Sequence, residues 1–133
     1  MVAARTYALY YVLIDSKFPG APYHLSDDPE VSQKYLGYGL EKRSPNVVSA
    51  VDQTKGEIVT YDAVLVKTPY FNSTDGTSTK SAYDVWGWTS TPYLVSVPDP
   101  LCKSTAFNGH GVGVSGCGAT EAAKQNKTYK EIL

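Results

Sequence analysis

The segment GHGVGVSGCG at residues 109–118 concentrates residue types that could do chemistry. Gly111, Gly113 and Gly116 spell G-x-G-x-x-G, the spacing that cradles dinucleotide phosphates. A dinucleotide site also needs a strand before the motif, a helix directly after it and an acidic residue further along. Because only residues 117–133 follow in this chain, we expect no βαβ unit and no cofactor. The glycines are better explained by the path of a tight loop.

Cys102 and Cys117 are the two cysteines of the chain and enclose this glycine-rich loop. A disulfide between them would stabilise the fold by roughly 3 kcal/mol through loop closure. The sequons at residues 72–74 and 126–128 also favour an oxidising compartment. We therefore expect an extracellular or secreted protein whose signal is not visible in this chain. Two free buried thiols are the alternative.

Histidines and a glutamate offer acid–base chemistry. His24, Glu57 and His110, with Arg43, resemble the inventory of small secreted fungal ribonucleases. Their order along the chain departs from that family, so a ribonuclease remains an alternative. Two histidines and two cysteines at no recognised zinc spacing predict no metal site.

Carbohydrate binding fits two clusters in which aromatic rings accompany carboxylates and amides, at residues 69–76 and 82–90. If residues 82–90 form a strand, Asp84, Trp86 and Trp88 share one face. The competing interpretation is that both tryptophans belong to the core. Side chains from the loop between the cysteines could add donors. The candidate ligand-binding residues are Tyr70, Asn72, Asp75, Asp84, Trp86, Trp88, Asn108 and His110.

The elements that must position these residues follow from hydrophobic periodicity and turn signals. The pattern predicts a central strand at 5–15, a helix within 27–39, a β-hairpin over 46–67 turning at Gly56, two strands within 82–97 and a short helix at 120–126. The segment 127–133 could be helix or strand. The fold class is therefore α+β, a single globular domain over 1–133. We expect a mostly antiparallel sheet of four or five strands with two or more flanking helices.

Composition limits the partners. The chain has 133 residues and a formal net charge of −1, which argues against nucleic acid held by bulk electrostatics. We find no segment long enough to cross a membrane and expect no membrane insertion. Eleven tyrosines favour an adaptable recognition surface. The expected partners are glycans of glycoproteins or glycolipids, and a homodimer is possible.

The Tyr-rich segments, the WGW sequence at residues 86–88 and the single cysteine pair near the C-terminus together resemble small mushroom defence lectins of the shaggy ink cap type. The resemblance implies an αβα sandwich and a secreted, antiviral or cytotoxic lectin without catalysis. It further implies binding to neutral fucosylated, GalNAc-containing glycans of the LacdiNAc type. No specific motif matches, so no binding residue is carried over. A second alternative is a cytotoxic effector that binds a protein receptor.

Overall fold

The computed structural model describes residues 1–133, and the chain begins with a helix, α1 (Val2–Leu13). The strand predicted at residues 5–15 is therefore wrong. Alanines and leucines in this segment favour a helix as strongly as its tyrosines favour a strand. Tertiary contacts decide between the two: Val2 and Thr6 are both buried one helical turn apart, and the Arg5 guanidinium donates to the Glu57 carbonyl at 2.9 Å.

The chain divides into two compact units, of which the first is Met1–Val66; the single domain expected over 1–133 stays a prediction. Besides α1, this unit contains α2 (Gly39–Arg43), α3 (Pro45–Gln53) and a hairpin of β1 (Thr60–Tyr61) and β2 (Val64–Leu65). The strands are antiparallel, with Thr60 opposite Leu65.

Arg5 of α1 organises the first unit. Its guanidinium donates to the carbonyls of Thr54 and Glu57, the latter at 2.9 Å, just beyond the end of α3. A cation at this position complements the negative end of the helix dipole. The neighbouring Thr6 Oγ1 accepts from the Val59 backbone N–H at 2.9 Å, so α1 also holds the segment that leads into β1.

Two further predictions in this unit need correction. The helix predicted within 27–39 is absent: Asp28 closes a single hydrogen-bonded turn, and the following helix, α2, begins only at Gly39. The hairpin predicted over 46–67 is wrong in its first half, which is α3. Pro45 occupies the first turn of that helix, where its missing N–H costs nothing. The hairpin that does form turns at Asp62–Ala63 rather than at Gly56.

The second unit, Lys67–Leu133, is built around a parallel pair of β3 (Tyr70–Phe71) and β4 (Val114–Ser115). Isolated bridges extend this contact, pairing Ser73 with Asn108 and Lys80 with Val112. The chain thus mixes helices and strands, which confirms the α+β class. Its sheets have two strands each, so the predicted sheet of four or five strands is wrong.

Helices cover segments for which strands were expected. The two strands predicted within 82–97 are wrong, because residues 82–86 form α4 (Ala82–Trp86). Ser81 caps this helix by accepting from the Asp84 N–H at 3.1 Å, and Gly87 ends it in the left-handed conformation. None of the helices combines the length and the apolar character needed to cross a bilayer.

The C-terminal part is helical. The helix predicted at 120–126 is confirmed in type, but α5 (Gly116–Lys124) starts earlier and is capped by Ser115. The segment left open as helix or strand contains α6 (Tyr129–Ile132). Thr128 and Glu131 form a reciprocal capping box at its start, which satisfies two backbone donors.

The core of the second unit joins apolar residues to buried polar ones. Phe71, Ala82 and Val112 are buried, and a disulfide connects Cys102 to Cys117, whose Cα atoms lie 5.1 Å apart. The buried polar residues of the second unit are Ser73, Thr74, Thr79, Asp99 and Ser115. Among them, Thr74 Oγ1 donates to Asp99 Oδ2 at 2.9 Å, so this buried carboxylate has a partner.

Gly113 allows the two central strands to meet. Its φ is +81°, and a Cβ added there would lie 2.1 Å from the Pro69 carbonyl oxygen. That oxygen accepts from the Val114 N–H at 3.2 Å, directly beside the β3–β4 pair. The position therefore requires glycine twice over, for its backbone conformation and for its missing side chain.

We expect Gly113→Ala to lower the free energy of unfolding by at least about 2 kcal/mol, since it adds left-handed strain to a steric clash. Thermal and urea unfolding measure the change. Gly39→Ala is the matched control: Gly39 has no atom near its added Cβ and an ordinary φ, so its effect should stay within about 0.5 kcal/mol. Equal stability of the two variants would contradict the role given to Gly113.

Candidate functional site

Trp86, Trp88 and His110 come together in the second unit. The ring centroids of Trp86 and Trp88 are 4.4 Å apart, and those of Trp86 and His110 are 4.9 Å apart. Phe71 continues the contact, 5.7 Å from His110, and Phe107 lies 6.5 Å from Phe71. We call these five residues the aromatic platform. Both tryptophans and His110 are half-buried, so part of each ring faces solvent.

The end of α4 creates the contact between the tryptophans. Trp86 is the last residue of α4, and the left-handed turn at Gly87 reverses the chain so that Trp88 folds back beside it. The predicted arrangement, in which Asp84, Trp86 and Trp88 alternate along a strand, is therefore wrong. Asp84 instead lies in the first turn of α4, where its Oδ2 accepts from Ser81 Oγ at 2.6 Å.

The loop enclosed by the disulfide carries His110 to the tryptophans. Asn108 anchors this loop, because its carbonyl accepts from the N–H groups of Asn72 and Ser73 at 3.1 and 3.2 Å. The Val112 N–H donates to His110 Nδ1 at 3.0 Å. In the neutral imidazole the proton then sits on Nε2. His110 therefore places a polar imidazole, held by the backbone of its own loop, beside the indole rings.

Two lysines add positive charge to the aromatic platform. Lys67 Nζ lies 4.5 Å from the ring centroid of Trp88, and Lys80 Nζ lies 4.4 Å from that of Phe107. Both distances are within the range of cation–π attraction. The backbone N–H of Lys80 also donates to the Gly111 carbonyl at 2.8 Å, which fixes this lysine beside the loop. The platform thus offers ring faces, an imidazole and two ammonium groups.

The other predicted site residues have local roles in the structure. Tyr70 lies in β3 and is 39% exposed. Asn72 and Asn108 contact each other through their backbones, as described above. Asp75 accepts from the Thr77 hydroxyl at 2.6 Å, and this hydrogen bond lowers the pKa of the Asp75 carboxyl. The structure therefore brings together Trp86, Trp88 and His110, and it places Asp75 and Asp84 in a turn and a helix cap.

Every carboxylate side chain of the second unit has a hydrogen-bond or ion-pair partner, and each partner except that of Asp99 lies within four residues along the chain. Asp75, Asp84 and Asp99 accept from the hydroxyls of Thr77, Ser81 and Thr74. Glu121 pairs with Lys124 at 2.7 Å, and Glu131 accepts from the Thr128 backbone N–H at 2.8 Å. The carboxylates therefore stabilise turns, helix caps, a buried hydrogen bond and two ion pairs.

Sequence reasoning missed Phe71 and Phe107, because isolated phenylalanines in polar segments carry no spacing signal. The cue for Phe71 was its position directly before the sequon at residues 72–74. The residues of the ribonuclease alternative belong to different units. His24, which lies in an exposed loop, and Glu57 belong to the first unit, whereas His110 belongs to the second.

Parts of this chain are similar to known bacterial proteins. Residues 1–61 match the sequence profile of the SpoIID family, described as Stage II sporulation protein. An uncharacterised protein of Brachyspira hyodysenteriae is 38% identical over 104 residues, which cover 77% of this chain and 26% of the relative. Stage II sporulation protein D of Bacillus subtilis is 30% identical over 115 residues, covering 78% of this chain and 32% of that protein.

A third relative, the amidase enhancer of Bacillus subtilis, is 33% identical over 98 residues, which cover 74% of this chain and 12% of the relative. The chain thus spans about a third or less of the length of these curated relatives. Each similarity covers more residues than the first unit contains and so extends into the second unit.

These similarities correct the functional prediction. The chain is similar to bacterial sporulation proteins, so the predicted fungal defence lectin for fucosylated, GalNAc-containing glycans is wrong. The same similarities contradict the predicted antiviral and cytotoxic roles and the alternative of a small secreted ribonuclease. The prediction failed because tyrosine content, a WGW sequence and one cysteine pair are features that unrelated small domains share.

The disulfide should control the aromatic platform, because the loop between Cys102 and Cys117 carries both Phe107 and His110. We expect reduction to lower the free energy of unfolding by about 3 kcal/mol. Tryptophan emission should also shift to the red as the loop leaves Trp86. Chemical denaturation with and without a phosphine reductant, followed by fluorescence, measures both effects.

The double variant Cys102→Ser/Cys117→Ser is the control for this experiment. Its stability should match that of the reduced protein and should not respond to the reductant. A wild-type protein whose stability and emission are unchanged by complete reduction would contradict the role given to the disulfide.

Proposed function

We propose that this protein acts at the bacterial cell wall, where the aromatic platform of its second unit binds the glycan strands of peptidoglycan. The names of two relatives support the setting, since one is a sporulation protein and the other enhances an amidase. The geometry supports the ligand class, since flat rings beside hydrogen-bond donors suit sugar rings.

The contact of Trp86, Trp88 and His110 is the observation that carries this proposal. Pyranose rings have apolar C–H faces that pack on indoles and hydroxyl edges that need donors and acceptors. The two indoles, whose ring centroids lie 4.4 Å apart, are both half-buried and leave apolar ring surface to solvent, and the polar imidazole of His110 lies 4.9 Å from Trp86. Lys67, next to Trp88, adds a cation that can pair with a carboxylate of the cell-wall polymer.

We assign the second unit a binding role rather than a hydrolytic one. Hydrolysis of a glycosidic bond generally needs two carboxyl groups that flank the scissile bond. The carboxylates of this unit instead take part in helix caps, turns, a buried hydrogen bond and two ion pairs. The aromatic platform itself contributes an imidazole and two ammonium groups but no carboxylate.

We expect Trp88→Ala to weaken binding to peptidoglycan glycan strands about tenfold or more, because it removes a stacking face and the partner of Lys67. Fluorescence titration with soluble glycan strands and co-sedimentation with purified sacculi measure the loss. Trp88→Phe keeps an aromatic ring in place and should retain most of the affinity.

Tyr35→Ala is the matched control, since Tyr35 is a 73% exposed aromatic residue of the first unit. It should bind like the wild type. A wild-type protein that does not bind sacculi, or a folded Trp88→Ala variant with unchanged affinity, would overturn the proposal. Release of soluble sugar fragments by the wild type that ceases in His110→Ala would overturn the purely binding role.

A further inference from the structure

We propose that a cleft beside Trp88 is a subsite for the N-acetyl group of a hexosamine, and that the Thr91 hydroxyl recognises the acetamido carbonyl. This inference rests on the proposed function and assigns the chemical group that the second unit selects. The cleft has a volume of about 350 Å³. It is lined by Ser81, Tyr83, Trp88, Thr89, Thr91, Pro92, Leu94 and Val95.

The backbone around α4 builds this cleft. The Ala82 N–H donates to the Leu94 carbonyl at 2.9 Å, so the segment after Trp88 runs back to the start of the helix. A turn closes that segment, in which the Leu94 N–H donates to the Thr91 carbonyl at 3.0 Å. Trp88 belongs both to the aromatic platform and to the cleft, and therefore connects the two surfaces.

The Thr91 hydroxyl is the polar group that the fold leaves without a partner. Its Oγ1 is buried and makes no hydrogen bond within the protein. Such a group is costly to leave unsatisfied. By contrast, Ser81 Oγ, which lies in the same wall, already caps α4. It accepts from the Asp84 backbone N–H and donates to Asp84 Oδ2. Rotation of the Thr91 side chain about its Cα–Cβ bond breaks no hydrogen bond of Oγ1. The hydroxyl can therefore rotate towards a ligand in the cleft.

The rest of the wall selects a neutral group with an apolar end. Pro92, Leu94 and Val95 supply aliphatic surface, and the residues lining the cleft include no Asp, Glu, Lys, Arg or His. An ammonium group would lose its hydration here without gaining an opposite charge. An acetamido group fits both features: its methyl packs on the aliphatic wall and its carbonyl accepts from Thr91.

The test compares chito-oligosaccharides of four units, fully N-acetylated or fully de-N-acetylated, by titration of the complete chain at moderate salt. We expect the wild type to prefer the acetylated form at least tenfold. Thr91→Val keeps the shape of the side chain, removes the unsatisfied hydroxyl and should not impair folding. It should reduce the preference to about threefold or less. Thr105→Val, at an exposed threonine outside the cleft, should leave the preference unchanged.

Failure of this inference is distinguishable from failure of the proposed function. If the wild type binds peptidoglycan strands but treats both chito-oligosaccharides alike, the subsite is wrong and the binding function stands. If the preference exists but persists in Thr91→Val, Thr91 is not the recognising group and the inference is overturned. A Thr91-dependent preference without binding to peptidoglycan would support the subsite and overturn the cell-wall ligand. Binding to neither polymer overturns both.

Discussion

The second unit depends on the close approach of two backbone segments, at Gly113 and Pro69. A side chain at Gly113 would collide with the Pro69 carbonyl, and the parallel pair of β3 and β4 starts at this contact. The same approach buries Val112 completely and aligns the loop before it with the strand that contains Phe71. The rings of Phe107 and His110 then meet Phe71, and the disulfide closes the loop behind them.

The glycines of residues 109–118 therefore serve backbone geometry, as the rejection of a dinucleotide motif anticipated. Their function is indirect: they let the loop pass close enough to deliver His110 to the tryptophans. A second close approach supports this arrangement, since a side chain at Gly118 would collide with the carboxylate of the buried Asp99. Close packing thus explains the glycines at positions 113 and 118.

Local signals predicted some elements, and tertiary contacts overrode others. The cysteine pair and a helix near residue 120 could be predicted because a short cysteine-to-cysteine loop and the helix propensity of Ala122 and Ala123 act locally. The first helix could not, because its tyrosines favour a strand and the deciding contacts of Arg5 lie about fifty residues away. The segment at Asp84 was mispredicted although Ser81 and Gly87 are helix cap signals, because alternation among Asp84, Trp86 and Trp88 outweighed them.

In the candidate site, too, local signals predicted some features and long-range contacts determined others. Trp86, Trp88 and His110 were selected for their chemistry and do lie together, but a helix end and a left-handed glycine bring them together rather than a strand face. Phe71, Phe107 and Thr91 could not be selected, because their importance arises from long-range contacts or from a missing partner. The specific glycan and the fungal setting depended on the resemblance, and similarity to bacterial sporulation proteins contradicts both.

The most direct test of binding at the aromatic platform follows the two indole N–H signals of the chain by two-dimensional NMR during titration with peptidoglycan glycan strands. The chain has two tryptophans, and both belong to the platform, so these signals report on it without further labelling. Both indole signals should shift and saturate together, while amides of α1 stay unchanged. Indole signals that stay in place at saturating glycan would contradict the account.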